Sequence, residues 1–381
     1  MFVMKKYLPL IIRAGVLLTL IVLLIVLSIL KNDPAICEAM TRGFARFYGS
    51  TNSKITSIIP FSLTELMFVT LAIGVVTLLV FSIISLVKKR FQASLCRVIE
   101  IAAIIILTLD MYNLSCEFGY KREKMPLPYY EQEVARTDYV PIYNYFAEDL
   151  NNCISELEFE ETGEVKTNLS LKELAEEIKK SYSIIDGNDY FAGHFGGVKP
   201  MASSFIYREF QITGVTYSPL AEANINVLNT KTNLPLTVAH ELAHTKGVMR
   251  EDDANKLAFY VCINSDNPYL RYSAYVVYFG QLSSITTRTY LYEEEIATLI
   301  PINAQFNKTR SYEYTYWKEH DLLGDIGEFW NDLYIKMSGV KEGTASYHAG
   351  TTPVYDPETS KLYPSMYQKL FFEKYFRLKS V

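Results

Sequence analysis

Residues 240–244 read His-Glu-Leu-Ala-His, and this pentapeptide has the residue types of a metal-dependent hydrolase. Two histidines four positions apart share one face of a helix, so both imidazoles can reach a single zinc ion. Glu241 would point beside that metal, where it can take a proton from a bound water. The alternative interpretation is an ordinary helix that carries these residues by chance, although histidine is rare here, with 5 in 381 residues.

The flanking residues fit a buried helix around this motif. Asn233 and Pro235 indicate a helix start. Backbone N–H groups in the first turn of a helix have no hydrogen-bond partner within the helix, so the missing N–H of a proline there has no cost. Gly247, three residues past His244, can end the helix in a left-handed conformation. A second helix is expected from Glu251 onwards, where acidic residues suit the helix dipole.

A catalytic zinc site of this kind needs a third protein ligand and an open position for water. The stretch from Glu251 to Asn255 resembles the E-x-x-A-[DN] pattern of zinc peptidases whose third ligand is a glutamate on the following helix. On that resemblance, Glu251 is the ligand and Asn255 supports a histidine from behind. Asp253 is the alternative third ligand. A solvated helix start without a metal is the alternative interpretation of these acids.

The elements that hold this motif follow a membrane region. Three apolar segments predict transmembrane helices, since each is long enough to span a bilayer. The segments cover about residues 8–30, 61–87 and 95–114. The third segment carries Glu100 and Asp110, which we expect to lie near an interface or to pair within the bundle.

The distribution of basic residues predicts the orientation in the membrane. Lys5, Lys6 and Arg13 place the N-terminus in the cytoplasm, and the short basic loop 88–97 belongs on the same side. We therefore expect a multi-pass protein of the bacterial cell membrane. Its membrane domain would cover residues 1–119, and residues 120–381 would form a soluble domain outside the cytoplasm.

A run of strand-forming residues precedes the histidine motif. We expect strands over residues 204–210, 211–217 and 223–228, because these segments are rich in strand formers and are punctuated by Gly214 and Pro219. The alternating segment 223–227 is the candidate edge strand, which could bind an extended peptide by strand addition. In that case Glu222, Asn224 and Asn226 would line the cleft. The alternative is that these are polar residues on the wet face of an edge strand.

Two segments near the end of the chain have open roles. Tyr347 and His348 have the chemistry to stabilise a tetrahedral intermediate, but their Gly- and Thr-rich surroundings favour an ordinary surface loop. Residues 370–377 combine bulky apolar and charged side chains. This segment can either dock on the domain or contact the membrane surface.

Composition limits the other function classes. A net charge of −5 and the lack of a basic stripe argue against nucleic-acid binding. Five cysteines without a C-x-x-C pair predict no disulfide framework. Cys153 and Cys262 can still pair if the soluble domain lies outside the cytoplasm.

Most of the chain resembles a family of bacterial membrane proteins of unknown function, DUF3810. The resemblance rests on the apolar N-terminal segments and on residues in and before the histidine motif: Gly214, Pro219, Glu222, Asn224, Asn226, Leu234, Pro235, residues 240–244, Gly247, Arg250, Glu251, Asp252, Ala254 and Asn255. The family tends to have glutamate where this chain has Asp253, a shorter acid. The resemblance implies an α-helical transmembrane bundle followed by an α+β zincin-like metallopeptidase domain, mainly helical with a small sheet.

The function expected from these residues is zinc-dependent hydrolysis of peptide bonds by a membrane-anchored enzyme. His240, His244 and Glu251 would hold Zn²⁺, and Glu241 would be the general base. The expected partners are the lipid bilayer and a peptide or protein substrate. The alternatives are a membrane-anchored zinc-binding sensor or partner-binding protein without catalysis, and a structural membrane protein without a metal.

Overall fold

The computed structural model describes residues 2–287, 290–338, 340–348, 350–356 and 361–380, and the fold is mainly helical with a small sheet, as predicted. The α-helices are α1 (Phe2–Leu30), α2 (Pro34–Met40), α3 (Arg46–Thr56), α4 (Leu63–Val87), α5 (Phe91–Ser115), α6 (Tyr139–Glu156), α7 (Leu171–Ser181), α8 (Ser204–Glu209), α9 (Leu234–Thr245), α10 (Glu251–Ile263), α11 (Pro268–Ser283), α12 (Glu293–Ile296), α13 (Ala304–Glu319), α14 (Gly324–Met337) and α15 (Met366–Lys379). The strands are β1 (Glu158–Phe159), β2 (Val165–Lys166), β3 (Gly197–Pro200), β4 (Gly214–Tyr217), β5 (Glu222–Ile225), β6 (Val354–Asp356) and β7 (Lys361–Tyr363).

Two helices of the described chain are long and apolar enough to cross a membrane. These are Tyr7–Leu30 within α1, and Leu63–Val87, which is α4. Only 6% of the most apolar stretch of each helix is buried within the protein. The prediction of a third span is wrong. Its residues do form a helix, α5, which packs along α1 and α4. However, α5 carries Arg97, Glu100 and Asp110, and ionisable groups of this kind oppose transfer into a bilayer.

The start of α4 is tied to the rest of the fold by buried polar contacts. The carboxylate of Glu222 accepts hydrogen bonds from the Thr64 backbone N–H and hydroxyl, each at 3.0 Å. Its other oxygen accepts from Lys199 Nζ at 2.8 Å. The carboxylate of Glu65 accepts from the backbone N–H groups of Ala202 and Ser203, just before α8. The apolar helix α4 therefore begins directly on the sheet and on α8.

The central sheet has the strand order β3-β5-β4. Strand β5 pairs in parallel with β3 and antiparallel with β4, so both of its edges are occupied. The prediction of residues 223–227 as an edge strand is therefore wrong, and β4 is the strand at the edge beside α9. Residues 204–210, predicted as a strand, mostly form the short helix α8. The apolar run of that segment is too short for its period to distinguish the two structures.

The hydrophobic core surrounds helices α9, α10 and α11. Helix α10 is buried on nearly every side, which is expected for a helix that is packed between other helices. The C-terminal helix α15 covers it, with Phe371 packed against Phe259 at a ring-centroid separation of 4.9 Å. The segment 370–377 thus docks on the domain. Cys153 and Cys262 are both buried and free.

Candidate metal centre

Helix α9 presents the histidine motif from a buried position. It starts at Leu234 with Pro235 in its first turn. A proline is tolerated at this position because no backbone N–H is needed for a helical hydrogen bond there. It ends before Gly247, whose φ of +85° is the left-handed conformation that glycine adopts most readily. The Val248 N–H then donates to the Ala243 carbonyl at 3.2 Å, which closes the helix end. This turn brings the start of α10 back to the histidines.

Three potential ligand atoms converge between α9 and α10. One ligand atom each from His240, His244 and Glu251 lies within 4.8 Å of the other two. The two Nε2 atoms are 3.0 Å apart. Glu251 Oε2 lies 3.1 Å from His240 Nε2 and 3.4 Å from His244 Nε2. Two imidazole nitrogens and a carboxylate oxygen form a donor set that suits zinc, with one position left for water or substrate.

The far side of each imidazole has a hydrogen-bond partner. His240 Nδ1 lies 2.9 Å from Asn255 Oδ1, and His244 Nδ1 lies 2.8 Å from the Val248 carbonyl oxygen. Because a carbonyl oxygen accepts hydrogen bonds, each Nδ1 acts as the donor. Each Nε2 therefore keeps its lone pair for the point where the three side chains converge.

The charges around this point favour a cation. Burial alone would raise the pKa of Glu251, but His244 and His240 lower it well below its ordinary range. Burial alone would lower the pKa of His244, but the carboxylates of Glu251 and Glu241 raise it to about 9. These carboxylates favour a positive charge at this point, either a proton on His244 Nε2 or a metal ion in its place.

Glu241 lies beside this cluster with its carboxylate out of bulk water, since the residue is 4% exposed. The Thr216 hydroxyl donates to Glu241 Oε2 at 2.7 Å. Burial raises the pKa of Glu241 above its ordinary value, against the opposing effect of the two histidines. A raised pKa makes this carboxylate a better proton acceptor than an ordinary glutamate.

The neighbouring acids on α10 face other partners. Asp253 Oδ1 lies 2.8 Å from Lys256 Nζ, and Asp252 Oδ2 lies 3.0 Å from the same nitrogen. Arg250 also contacts both carboxylates. The structure therefore places Glu251 with the histidines, whereas Asp253, the alternative ligand, lies in an ion-pair cluster outside them.

The three residues expected to line the cleft do not do so. Glu222, Asn224 and Asn226 are at most 1% exposed. Glu222 binds Lys199 and Thr64. Asn224 donates to the Val215 carbonyl, and Asn226 to the Ile212 carbonyl. Because β5 is a central strand, its polar side chains hold the sheet and the start of α4 together and do not contact a ligand.

The cluster of His240, His244 and Glu251 forms part of the wall of a cavity of about 1430 Å³. The cavity is bordered by the edge strand β4, by α8 and α14, and by the 3₁₀ segment Gly343–His348. Strand β4 pairs only with β5 among the described strands, so its outer backbone groups face this space. An extended peptide could pair there.

Tyr347 is a site residue whose role the sequence left open in favour of a surface loop. The structure places Tyr347 in the wall of the cavity that the cluster also borders, and its hydroxyl accepts from Asn331 Nδ2 at 3.2 Å. Burial and the nearby carboxylates of Glu251 and Glu241 raise the pKa of Tyr347 well above its ordinary value. Its hydroxyl is therefore a neutral donor. A Gly- and Thr-rich stretch has no hydrophobic periodicity that would predict a buried tyrosine. Only the three-dimensional structure places Tyr347 at the site.

Fold and site together define a mainly helical protein with two apolar helices and a His-His-Glu cluster at the wall of a cavity. A family described as "Protein of unknown function (DUF3810)" matches residues 41–352, which is most of the chain. The protein belongs to this family, as its resemblance indicated. No curated protein matches the chain. No solved structure matches it either.

Proposed function

We propose that this protein is a membrane-anchored, zinc-dependent metallopeptidase of the zincin type. The observation that carries the proposal is the convergence of His240, His244 and Glu251 beside the buried carboxylate of Glu241. The four groups come from a H-E-x-x-H helix and the helix that follows it, and they share a cavity with an edge strand. The family and the two apolar helices are compatible with this function but do not identify it.

The three ligand residues would hold Zn²⁺ through His240 Nε2, His244 Nε2 and the Glu251 carboxylate. When bound, the metal would supply Lewis acidity, which activates a water and polarises a substrate carbonyl. Asn255 and the Val248 carbonyl would keep the imidazoles oriented.

The remaining steps belong to side chains of the protein. Glu241 would accept a proton from the attacking water and deliver it to the leaving amine. Thr216 holds the carboxylate of Glu241 in place for both transfers. The Tyr347 hydroxyl faces the same space and can donate to the oxygen that becomes negatively charged. The cavity and β4 would accommodate an extended peptide, so the substrate class is a peptide or an unfolded segment of a protein.

Membrane anchoring would come from α1 and α4. The basic residues near the start of α1 and in residues 88–97, which join α4 to the first turns of α5, support a cytoplasmic location for that end of the helices. The C-terminal end of α1 and the N-terminal end of α4 lie at the opposite end, where the sheet docks. In this arrangement the metal centre lies outside the cytoplasm of a multi-pass protein.

The test is the metal content and peptidase activity of the full-length protein in detergent, as wild type, His244→Ala and Glu241→Gln. We expect one zinc per wild-type chain, loss of that zinc in His244→Ala, and retained zinc without hydrolysis of a peptide library in Glu241→Gln. His194→Ala, a change at an exposed histidine, is the matched control and should keep both properties.

The outcomes separate the function classes. Zinc in the wild type without any hydrolysis would favour a zinc-binding sensor or partner-binding protein. A folded wild type that binds no zinc would refute the metal centre. Normal turnover in Glu241→Gln would refute the role of that residue.

A further inference from the structure

Helix α14 has an apolar face that no part of the described chain covers. Ile326, Phe329, Trp330, Leu333 and Met337 recur at helical spacing and lie on one side of the helix. All five are exposed, with Phe329 and Trp330 at 61% and Met337 at 68%. Single exposed apolar residues are common on proteins, but a contiguous row of this size marks an interaction surface.

The other two sides of α14 differ in their burial and in their charge. Gly327, Ile335 and the following Ser338 are buried against the protein. Gly327 lies so close to the Phe210 carbonyl that a Cβ there would be 2.5 Å from that oxygen. Charged residues fill the third side, at positions 325, 328, 332 and 336. Three of these four charged residues are acidic, so the apolar side, and not charge attraction, is what would favour a position at a membrane surface.

The position of α14 relative to the apolar helices identifies what covers the row. Tyr112, in the last turns of α5, donates to the Tyr334 hydroxyl at 2.5 Å and lies 3.2 Å from Ser338 Oγ. Helix α5 packs along both α1 and α4. The apolar row is therefore next to the end of the helix bundle at which the sheet docks.

Helix α8 continues the same surface from the other side. Its Phe205 and Ile206 are exposed, and the residues just before it bind Glu65 in the first turn of α4. The two short helices are joined where the Leu323 N–H donates to the Glu209 carbonyl at 2.8 Å. Both α8 and α14 also line the cavity of the candidate metal centre, with Ile206 on one side and Trp330 on the other.

We propose that the exposed apolar side chains of α8 and α14 insert into the outer part of the lipid bilayer, so that the cavity opens at the membrane surface. The bilayer is the favoured occupant because the row is continuous with the end of the apolar bundle, where a membrane would already be present. Aromatic residues such as Trp330 are typical of this interfacial depth. The site would then receive substrate segments that lie at the bilayer surface. The proposal rests on the anchoring by α1 and α4 but not on the metal.

The two tryptophans of the chain, Trp317 and Trp330, allow a direct test. The full-length protein would be reconstituted into phosphatidylcholine vesicles with or without bromine on the acyl chains. In Trp317→Phe, Trp330 is the only tryptophan, and it can be excited at wavelengths that tyrosine does not absorb. In Trp330→Phe, only the half-buried Trp317 remains, which serves as the control for quenching elsewhere on the domain.

We expect brominated lipid to quench Trp330 by about twofold or more, because its ring would lie among the acyl chains, and to quench Trp317 less. Quenching of Trp330 no greater than that of Trp317 would overturn the proposal. Quenching of Trp330 by iodide in solution would then show whether the apolar face of α14 is exposed to water or is covered by protein, such as a second copy of the chain. Flotation of the protein with the vesicles tests the membrane anchoring separately, and zinc content tests the proposed metal centre. A failure of the anchoring, of the metal centre or of the insertion of α14 can therefore be told apart.

Discussion

The carboxylate of Glu241 is held in a space with almost no spare volume. It is placed by the Thr216 hydroxyl on one side and by the backbone of Gly214 on the other. A Cβ at position 214 would lie 2.6 Å from Glu241 Oε1, closer than atoms of ordinary proteins approach. Glycine at this point of β4 therefore fixes the position of the proposed proton acceptor.

Gly214→Ala is expected to displace the Glu241 carboxylate and to leave the metal ligands unchanged. We predict that peptide hydrolysis falls by about 10²-fold or more, the range lost with a general base, while zinc content stays the same. Gly280→Ala is the matched control, because a Cβ at Gly280 meets no atom within 4 Å. Full activity in Gly214→Ala would contradict the tight packing described for Glu241.

Asn255 would affect a bound metal through His240, whose Nδ1 it contacts at 2.9 Å. In Asn255→Ala, the Nδ1 of His240 loses its acceptor, so the ring is no longer held with Nε2 towards the metal. We predict that zinc affinity drops by about 10- to 100-fold, measured by competition with a chromophoric chelator. Asn255→Asp keeps an acceptor oxygen and should retain most of the affinity. Equal affinities in the wild type and Asn255→Ala would rule out this orienting role.

At the scale of single residues, the sequence predicts the local part of the site well. The spacing of His240, Glu241 and His244 is a property of one helix, and Glu251 follows after a short turn. Helix geometry sets the relative positions of the first three residues, and the turn at Gly247 brings Glu251 to them. Tyr347 is about a hundred residues away in sequence, and only the packing of the 3₁₀ segment against α10 brings it to the site.

At the scale of elements, strand order is what the sequence could not provide. The alternation in residues 223–227 correctly indicates a strand, but alternation does not say which neighbours a strand has. The interpretation of this segment as an edge strand is what assigned Glu222 to the cleft. Its partners Lys199 and Thr64 come from β3 and α4, which are distant in sequence.

Helix α13 provides a test of how a buried acid affects stability. Glu313 accepts a hydrogen bond from the Thr230 hydroxyl at 2.7 Å, and burial raises its pKa to about 7. The ordinary value is 4.5, so the folded protein binds this proton more tightly than the unfolded chain. The group's stabilising effect is therefore full below pH 4.5 and is lost as the pH rises to 7.

Glu313→Gln keeps a neutral side chain at every pH. We predict that this variant is more stable than the wild type at pH 8, on the order of 2 kcal/mol, and similar at pH 5. Thermal unfolding of the detergent-solubilised protein at the two pH values would measure the difference. Glu319→Gln, at an exposed position of the same helix, should show no such pH dependence. A uniform shift at both pH values would contradict the proton linkage.

At the scale of the whole molecule, the segment between α1 and α4 belongs structurally to the later part of the chain. Glu38 Oε1 accepts from Arg122 Nη2 at 3.0 Å, and the Tyr48 hydroxyl donates to the Pro219 carbonyl at 3.0 Å. Lys199 Nζ donates to the carbonyls of Thr56 and Phe61. Removal of residues 1–119 would leave the buried charges of Lys199 and Arg122 with fewer partners.

We therefore predict that a fragment of residues 120–381 aggregates or lacks a cooperative thermal transition, whereas the full-length protein in detergent shows one. Size-exclusion chromatography and thermal unfolding would measure both. Co-expression with residues 1–119 should recover soluble, folded material, because the missing partners are restored. A monomeric fragment that unfolds cooperatively on its own would show that these contacts are dispensable.

The contacts between Glu222, Lys199 and Thr64 also impose an order on biosynthesis. The start of α4 leaves the ribosome before β3, β4 and β5, and chains fold progressively as they emerge. The first turn of α4 is therefore already available when the sheet buries the charges of Lys199 and Glu222. Because Thr216 on β4 positions Glu241, the proposed proton acceptor is placed after the helical anchor has been synthesised. The proposed peptidase activity would thus arise only in a chain that already has its anchor.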